Sequence, residues 1–189
     1  MKTGAAGIEK LKLIEGFTAT WKRDVNKLAI GYGHNEQPND RNFIKEPITK
    51  AQAEVILKKD LVQFEAIINN AIKVPLSQIQ YDALILWVYN TGRTKTTLFD
   101  LINQKANIDT IVNWWKTHYI TTQEKDPVRA AKLVQVLIKR RAEEAEMFKE
   151  GANSSNTAPA PPTAPTGKSG LFFLIAIAAA YYIYNKNKK

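Results

Sequence analysis

Between Gly151 and Ser169 the chain carries four of its eight prolines among Ala, Ser, Thr and Asn, with no large apolar side chain. Such a stretch cannot join a hydrophobic core. It therefore divides the chain into a body at 1–150, a semi-extended linker at 151–169 and a separate carboxyl-terminal piece. That piece runs from Leu171 to Tyr184 without charge or proline, and ends in a basic tail at 186–189 containing Lys186, Lys188 and Lys189. Fifteen residues from Gly170 span about 22 Å as a helix, short of an ordinary bilayer core. Interfacial tyrosines and outward-reaching lysines make a thin crossing feasible. We therefore expect residues 170–185 to form a transmembrane helix contacting a lipid bilayer; the alternative is a core helix folded back on the body. The amino terminus has lysines at 2, 10 and 12 and no continuous apolar run, so it does not read as a secretory signal.

The body is large enough for one domain, and 44% apolar residues with four Trp exclude global disorder. The absence of cysteine removes disulfide frameworks and thiolate chemistry, and two histidines are too few for a three-imidazole metal site. No metal and no cofactor is expected. The formal charge is +9; residues 151–189 hold four lysines and no acid, so +5 resides on the body. That balance suits an anionic surface: nucleic acid, acidic lipid or cell-wall polymer. The lysines are scattered and no nucleic-acid motif is present, so nucleic acid is not expected as a partner.

Ile8, Leu11 and Ile14 share a helical stripe that Gly16 stops after Glu15. Alternation at Phe17, Ala19 and Trp21 and again at Leu28, Ile30 and Tyr32, with a reversal around Asp24–Lys27, predicts a β-hairpin over 17–33. Thr49 caps a helix with Ala53, Ile56, Leu57 and Leu61 on one face, and Pro75 ends the segment after it. Tyr81 to Tyr89, almost wholly apolar, predicts a central buried helix. Leu98–Gln104, Thr110–Tyr119 and Val128–Phe148 complete the set. The fold class is α+β, mostly helical: a small amino-terminal β-hairpin lobe, a helical lobe and a cleft between them. One of the adjacent Trp114 and Trp115 is expected in the core, and Glu143, Glu144 and Glu146 read as a solvated helical face.

Glu15 closes the first helix and Asp24 follows nine residues later at the hairpin corner. Glycoside hydrolysis needs two carboxyl groups in unlike settings, one protonated to serve the leaving oxygen and one ionised to activate water or stabilise an oxocarbenium-like centre. Desolvation at an apolar helix end favours the protonated acid, and a polar turn keeps a carboxylate charged. After the pair comes Ile30-Gly31-Tyr32-Gly33-His34.

Glu15-Gly16, Asp24 and the Ile-Gly-x-Gly-His run together resemble the phage-type lysozymes, the muramidases that phages use against bacterial peptidoglycan. The resemblance continues through Ile48-Thr49-Lys50-Ala51-Gln52-Ala53-Glu54, Gln80-Tyr81-Asp82-Ala83-Leu84, Asn90-Thr91-Gly92 and the closing Arg140-Arg141-Ala142-Glu143-Glu144, covering most of residues 5–150 in order. It implies a two-lobed glycosidase cleaving the β-1,4 bond between N-acetylmuramic acid and N-acetylglucosamine, with Glu15 and Asp24 catalytic. Tyr32, Gly33 and Arg141 would contact substrate, and Arg141 would also reach the catalytic glutamate. His34 is expected to be structural.

One position departs from that pattern. The family places a water-holding threonine where this chain has Ala29. Either Thr18 or Thr20 substitutes from across the hairpin, or Asp24 positions water alone, or the enzyme is a lytic transglycosylase, which needs no nucleophilic water. A noncatalytic wall-binding protein is the remaining alternative. The apolar segment would hold the body at the host inner membrane with the catalytic domain periplasmic, or in the membrane of a lipid-containing virion.

Overall fold

The computed structural model describes residues 1–24 and 27–154, with backbone alone at Asp24 and Lys27. The described elements are α1 (Ala5–Glu15), β1 (Thr18–Asp24), β2 (Lys27–Gly31), β3 (His34–Asn35), α2 (Asp40–Phe43), α3 (Lys50–Ala71), α4 (Gln78–Thr91), α5 (Thr97–Asn103), α6 (Ile108–Thr117) and α7 (Pro127–Asn153). The α+β reading with one small sheet and a dominant helical part is what the chain adopts.

Gly16 ends α1 at φ 71°, a conformation that strains residues with a Cβ, and its N–H bonds the Lys12 carbonyl at 3.1 Å. The chain then enters an antiparallel sheet of order β1-β2-β3. The sequence suggested a two-stranded hairpin over 17–33. Gly31 and Gly33, both at positive φ, instead turn the chain so that Ile30 pairs with His34 and Ala29 with Asn35. The short third strand was illegible because two residues carry no alternation.

The long helices begin where side-chain caps permit. Thr49 and Gln52 form a reciprocal capping box at α3, and Ser77 and Gln80 form another at α4. On α3, Ala53, Leu57 and Leu61 are buried as expected, joined by Ile68, while Ile56 is only partly covered. On α4 every residue from Tyr81 to Val88 is buried, so this helix is the centre of the helical lobe. Around Trp87 stand Phe99, Trp115 and Tyr119, with ring centroids 5.8, 6.3 and 5.3 Å away. Fully burying each large apolar side chain contributes about 1.5–3 kcal/mol. Trp115 is the core member of the tryptophan pair, and Trp114 stacks on His118 at 4.2 Å.

The end of the body lies beyond 150. Residues 151–153 continue α7, and Gly151 is buried where a Cβ would come within 2.7 Å of Ser77 Oγ and 2.8 Å of Gln80. Gly151 therefore serves close packing of α7 on the start of α4 and does not open the linker. Residues 155–169, the apolar segment 170–185 and the basic tail 186–189 lie outside the described residues. Among the described residues no helix is long and apolar enough to cross a membrane.

Candidate active site

The helix stop at Gly16 leaves Glu15 at the junction of α1 with the sheet, and its side chain is only 6% exposed. Its two oxygens have different surroundings. Oε1 forms an ion pair of 2.9 Å with Nη2 of Arg140 on α7. Oε2 looks toward the turn after β2, 3.8 Å from where a Cβ on Gly33 would sit. Gly33 has φ +89°, and the same Cβ would lie 3.4 Å from the Tyr89 hydroxyl. Glycine at 33 thus takes this left-handed turn beside Glu15 without backbone strain.

Tyr89 was not singled out in the sequence, where it reads only as the end of an apolar helix. Its hydroxyl donates to the Tyr32 carbonyl at 2.9 Å and so ties the sheet's turn to α4. Burial first, then the Glu15 and Asp60 carboxylates, push that hydroxyl well above the usual tyrosine range, so it remains a donor. The Tyr32 ring is 5% exposed, against Phe17 at 5.7 Å and beneath Lys12. Its side chain is thus a packed wall of the site.

The arginine assignment is corrected. Arg140 reaches Glu15, whereas Arg141 is fully buried and donates to Asn90 Oδ1 at 2.7 Å and Glu144 Oε1 at 2.9 Å. Neighbouring residues on a helix point about 100° apart, so only one of the two can face α1. With no exposed surface, the Arg141 side chain makes no substrate contact in this arrangement. Glu144 is likewise buried, 1% exposed, and is not on a solvated face. Its Oε1 accepts from Arg140 Nε at 3.0 Å as well as from Arg141, and its Oε2 accepts from Trp115 Nε1 at 3.1 Å. Burial lowers the Arg140 pKa, but the charges of Glu15 and Glu144 outweigh it and leave the pKa raised. For Arg141 burial prevails and draws the pKa down to about 10, still charged at neutral pH. Removing one charge from such a buried set strands its partners, at about 3–5 kcal/mol.

His34 lies between two carboxylates, Nδ1 at 2.8 Å from Asp60 and Nε2 at 2.9 Å from Asp40. A carboxylate accepts only, so both contacts are hydrogen bonds together when both ring nitrogens donate, that is, in the imidazolium form. This is a structural role, joining β3 to α2 and α3. Ala29 is 5% exposed in β2, opposite Lys22 on one side and Asn35 on the other. Of its candidate substitutes, Thr18 stands opposite Gly31 and is partly buried, while Thr20 is exposed. Asp24 ends β1, paired with Lys27, and its side chain lies outside the described residues. Among the described residues no group of three or more His, Cys, Asp or Glu could hold a metal ion.

The family model for phage lysozyme matches residues 12–144. The chain belongs to the phage lysozyme family. It is 36% identical over 109 residues to an endolysin of Acyrthosiphon pisum secondary endosymbiont phage 1, covering 57% of this chain and 71% of that protein. It is 30% identical over 156 residues to the endolysin of Salmonella phage P22, covering 78% of this chain and 98% of that one. A crystal structure of a P22 lysozyme mutant superposes with a TM-score of 0.64 at 28% identity, covering 79% of this chain and 99% of that chain. This phage-type lysozyme is accordingly a muramidase, an enzyme that degrades peptidoglycan, and the helix end bearing Glu15 falls within the matched span.

Proposed function

We propose that this lysozyme cleaves the β-1,4 bond between N-acetylmuramic acid and N-acetylglucosamine, with Glu15 as general acid and Asp24 as its ionised partner. The observation that carries the reading is the asymmetry of Glu15: Oε1 rests on Arg140 while Oε2 faces the Gly33 turn. Oε2 gives its proton to the glycosidic oxygen as the C1–O bond breaks. The negative charge left on Glu15 then lies beside the Arg140 guanidinium, which stabilises it as it develops. Asp24 takes a proton from the water that attacks C1. In an inverting enzyme the two carboxyl groups stand about 6.5–9.5 Å apart to admit that water.

A second reading shares everything except the nucleophile. The buried Ala29 has no hydroxyl to orient water, and in a lytic transglycosylase the sugar's own 6-hydroxyl attacks C1 to close an anhydro ring. The segment 170–185 is proposed to hold the enzyme on a lipid bilayer, either a host inner membrane with the catalytic body in the periplasm or a virion membrane.

The test is Glu15→Gln on purified peptidoglycan, with product ends identified. Activity should fall by about 10²–10⁴-fold, the usual contribution of general acid–base help. Reducing ends from the native enzyme mean hydrolysis, and 1,6-anhydro ends mean transglycosylation. Near-normal turnover by Glu15→Gln removes Glu15 from the mechanism, and a native chain that releases neither product is a wall binder.

A further inference from the structure

Resting on the reading of Glu15 as the acid, we propose that Glu144 is a positioning residue for the reaction. It holds the Arg140 guanidinium against Glu15 and takes up the charge of the adjacent Arg141. Arg140 is gripped at two edges: Nε by Glu144 at 3.0 Å, and Nη2 by the Leu86 carbonyl at 3.3 Å beside its contact with Glu15. Glu144 is itself fixed from a third helix, since Trp115 of α6 donates to Oε2. Arg141 completes the set through Asn90 of α4. Glu15, Arg140, Arg141 and Glu144 are each 6% exposed or less, so water does little to screen them.

The charges balance once Glu15 has given up its proton: two guanidiniums then face two carboxylates. From the elements around them come the neutral Tyr89 hydroxyl on α4 and, beyond it, Asp60 on α3, whose charge is engaged by His34. Without the Glu144 charge, two guanidiniums face Glu15 alone and Arg140 loses its anchor at Nε. Glu144, 1% exposed, is too buried to meet a sugar, so it acts through Arg140.

The experiment measures initial rates of peptidoglycan clearance against substrate concentration and pH for the full chain. Glu144→Gln keeps the shape and the acceptor for Trp115 but removes the charge. Misplacement of a site group by ~1 Å can cost ~100-fold, so kcat should fall toward that extent with KM nearly unchanged. The alkaline limb of the pH–rate profile should move to lower pH by about one unit, because excess positive charge favours the ionised acid. In Arg141→Met/Glu144→Gln the charges balance again, and the alkaline limb should return while kcat stays low. If Glu144→Gln does not fold, the double variant carries the test alone, and a native kcat in it overturns the proposal. A folded Glu144→Gln with an unmoved alkaline limb also overturns it. Glu15→Gln is run beside these: its retained activity would sink the acid assignment, whereas an inactive Glu15→Gln with an unmoved Glu144→Gln profile sinks this inference alone.

Discussion

The position that separates the two proposed chemistries is a methyl group. Ala29 sits in β2 with 5% of its surface exposed, so a threonine there must fit a hydroxyl and a methyl group into a packed wall. Overpacking of that kind costs about 1–3 kcal/mol, and Ala29→Thr should melt at a lower temperature than the native chain. If water positioning limits hydrolysis, the variant should nevertheless release a larger share of reducing ends. An unchanged ratio of reducing to anhydro ends would show that residue 29 does not choose the nucleophile. Glu15 shows the same economy at the residue scale: one oxygen is committed to Arg140, and the other faces a turn whose φ of +89° at residue 33 favours glycine.

At the scale of elements, polar struts join helix to helix and the small sheet to the helices. Lys12 of α1 reaches Glu54 of α3 at 2.8 Å, and Tyr89 of α4 holds the turn after β2. His34 links β3 to α2 and α3, and its pH dependence has a definite sign. Burial is the largest single influence and disfavours the charged ring, but hydrogen bonds and attraction from Asp60 and Asp40 together leave the pKa raised in the folded state. A raised folded pKa means that the strut contributes fully below the unfolded value of about 6.5 and is lost as pH rises through the folded value. Thermal melts of the native chain and His34→Gln should therefore differ most near pH 6 and converge as pH rises. A gap that stays constant from pH 6 to pH 10 would show that the ring serves by shape alone.

For the whole molecule, the body and the carboxyl-terminal piece are expected to do different work. The last helix of the body, α7, runs to Asn153, with Gly151 packed against the start of α4. An anchored enzyme gains effective concentration at the wall beside its membrane, and a Pro-rich linker keeps the body clear of lipid. Deleting residues 170–189 should move the protein from the membrane to the soluble fraction and leave its activity on purified peptidoglycan intact. A full-length chain that stays soluble without detergent, or a deletion that unfolds the body, would place that segment in the core instead.

Local order was readable because it is enforced by neighbours in the chain. Gly16 after Glu15, the Thr49 cap and the apolar run of α4 all act within one or two turns of backbone, so residue type alone announces them. The Glu15 helix end was legible for the same reason, whereas the turn at 31–34 reads in the sequence as the end of a two-stranded hairpin. The spacing of Arg140, Arg141 and Glu144 even suggests helical ion pairs. Which arginine meets Glu15, and that Glu144 is buried, depended on where α1, α4 and α6 stand around α7. A charged residue is polar in the sequence whether it faces water or a partner; its burial follows from helices far along the chain that bring Glu15, Asn90 and Trp115 to it. That is a property of packing, set when distant segments meet.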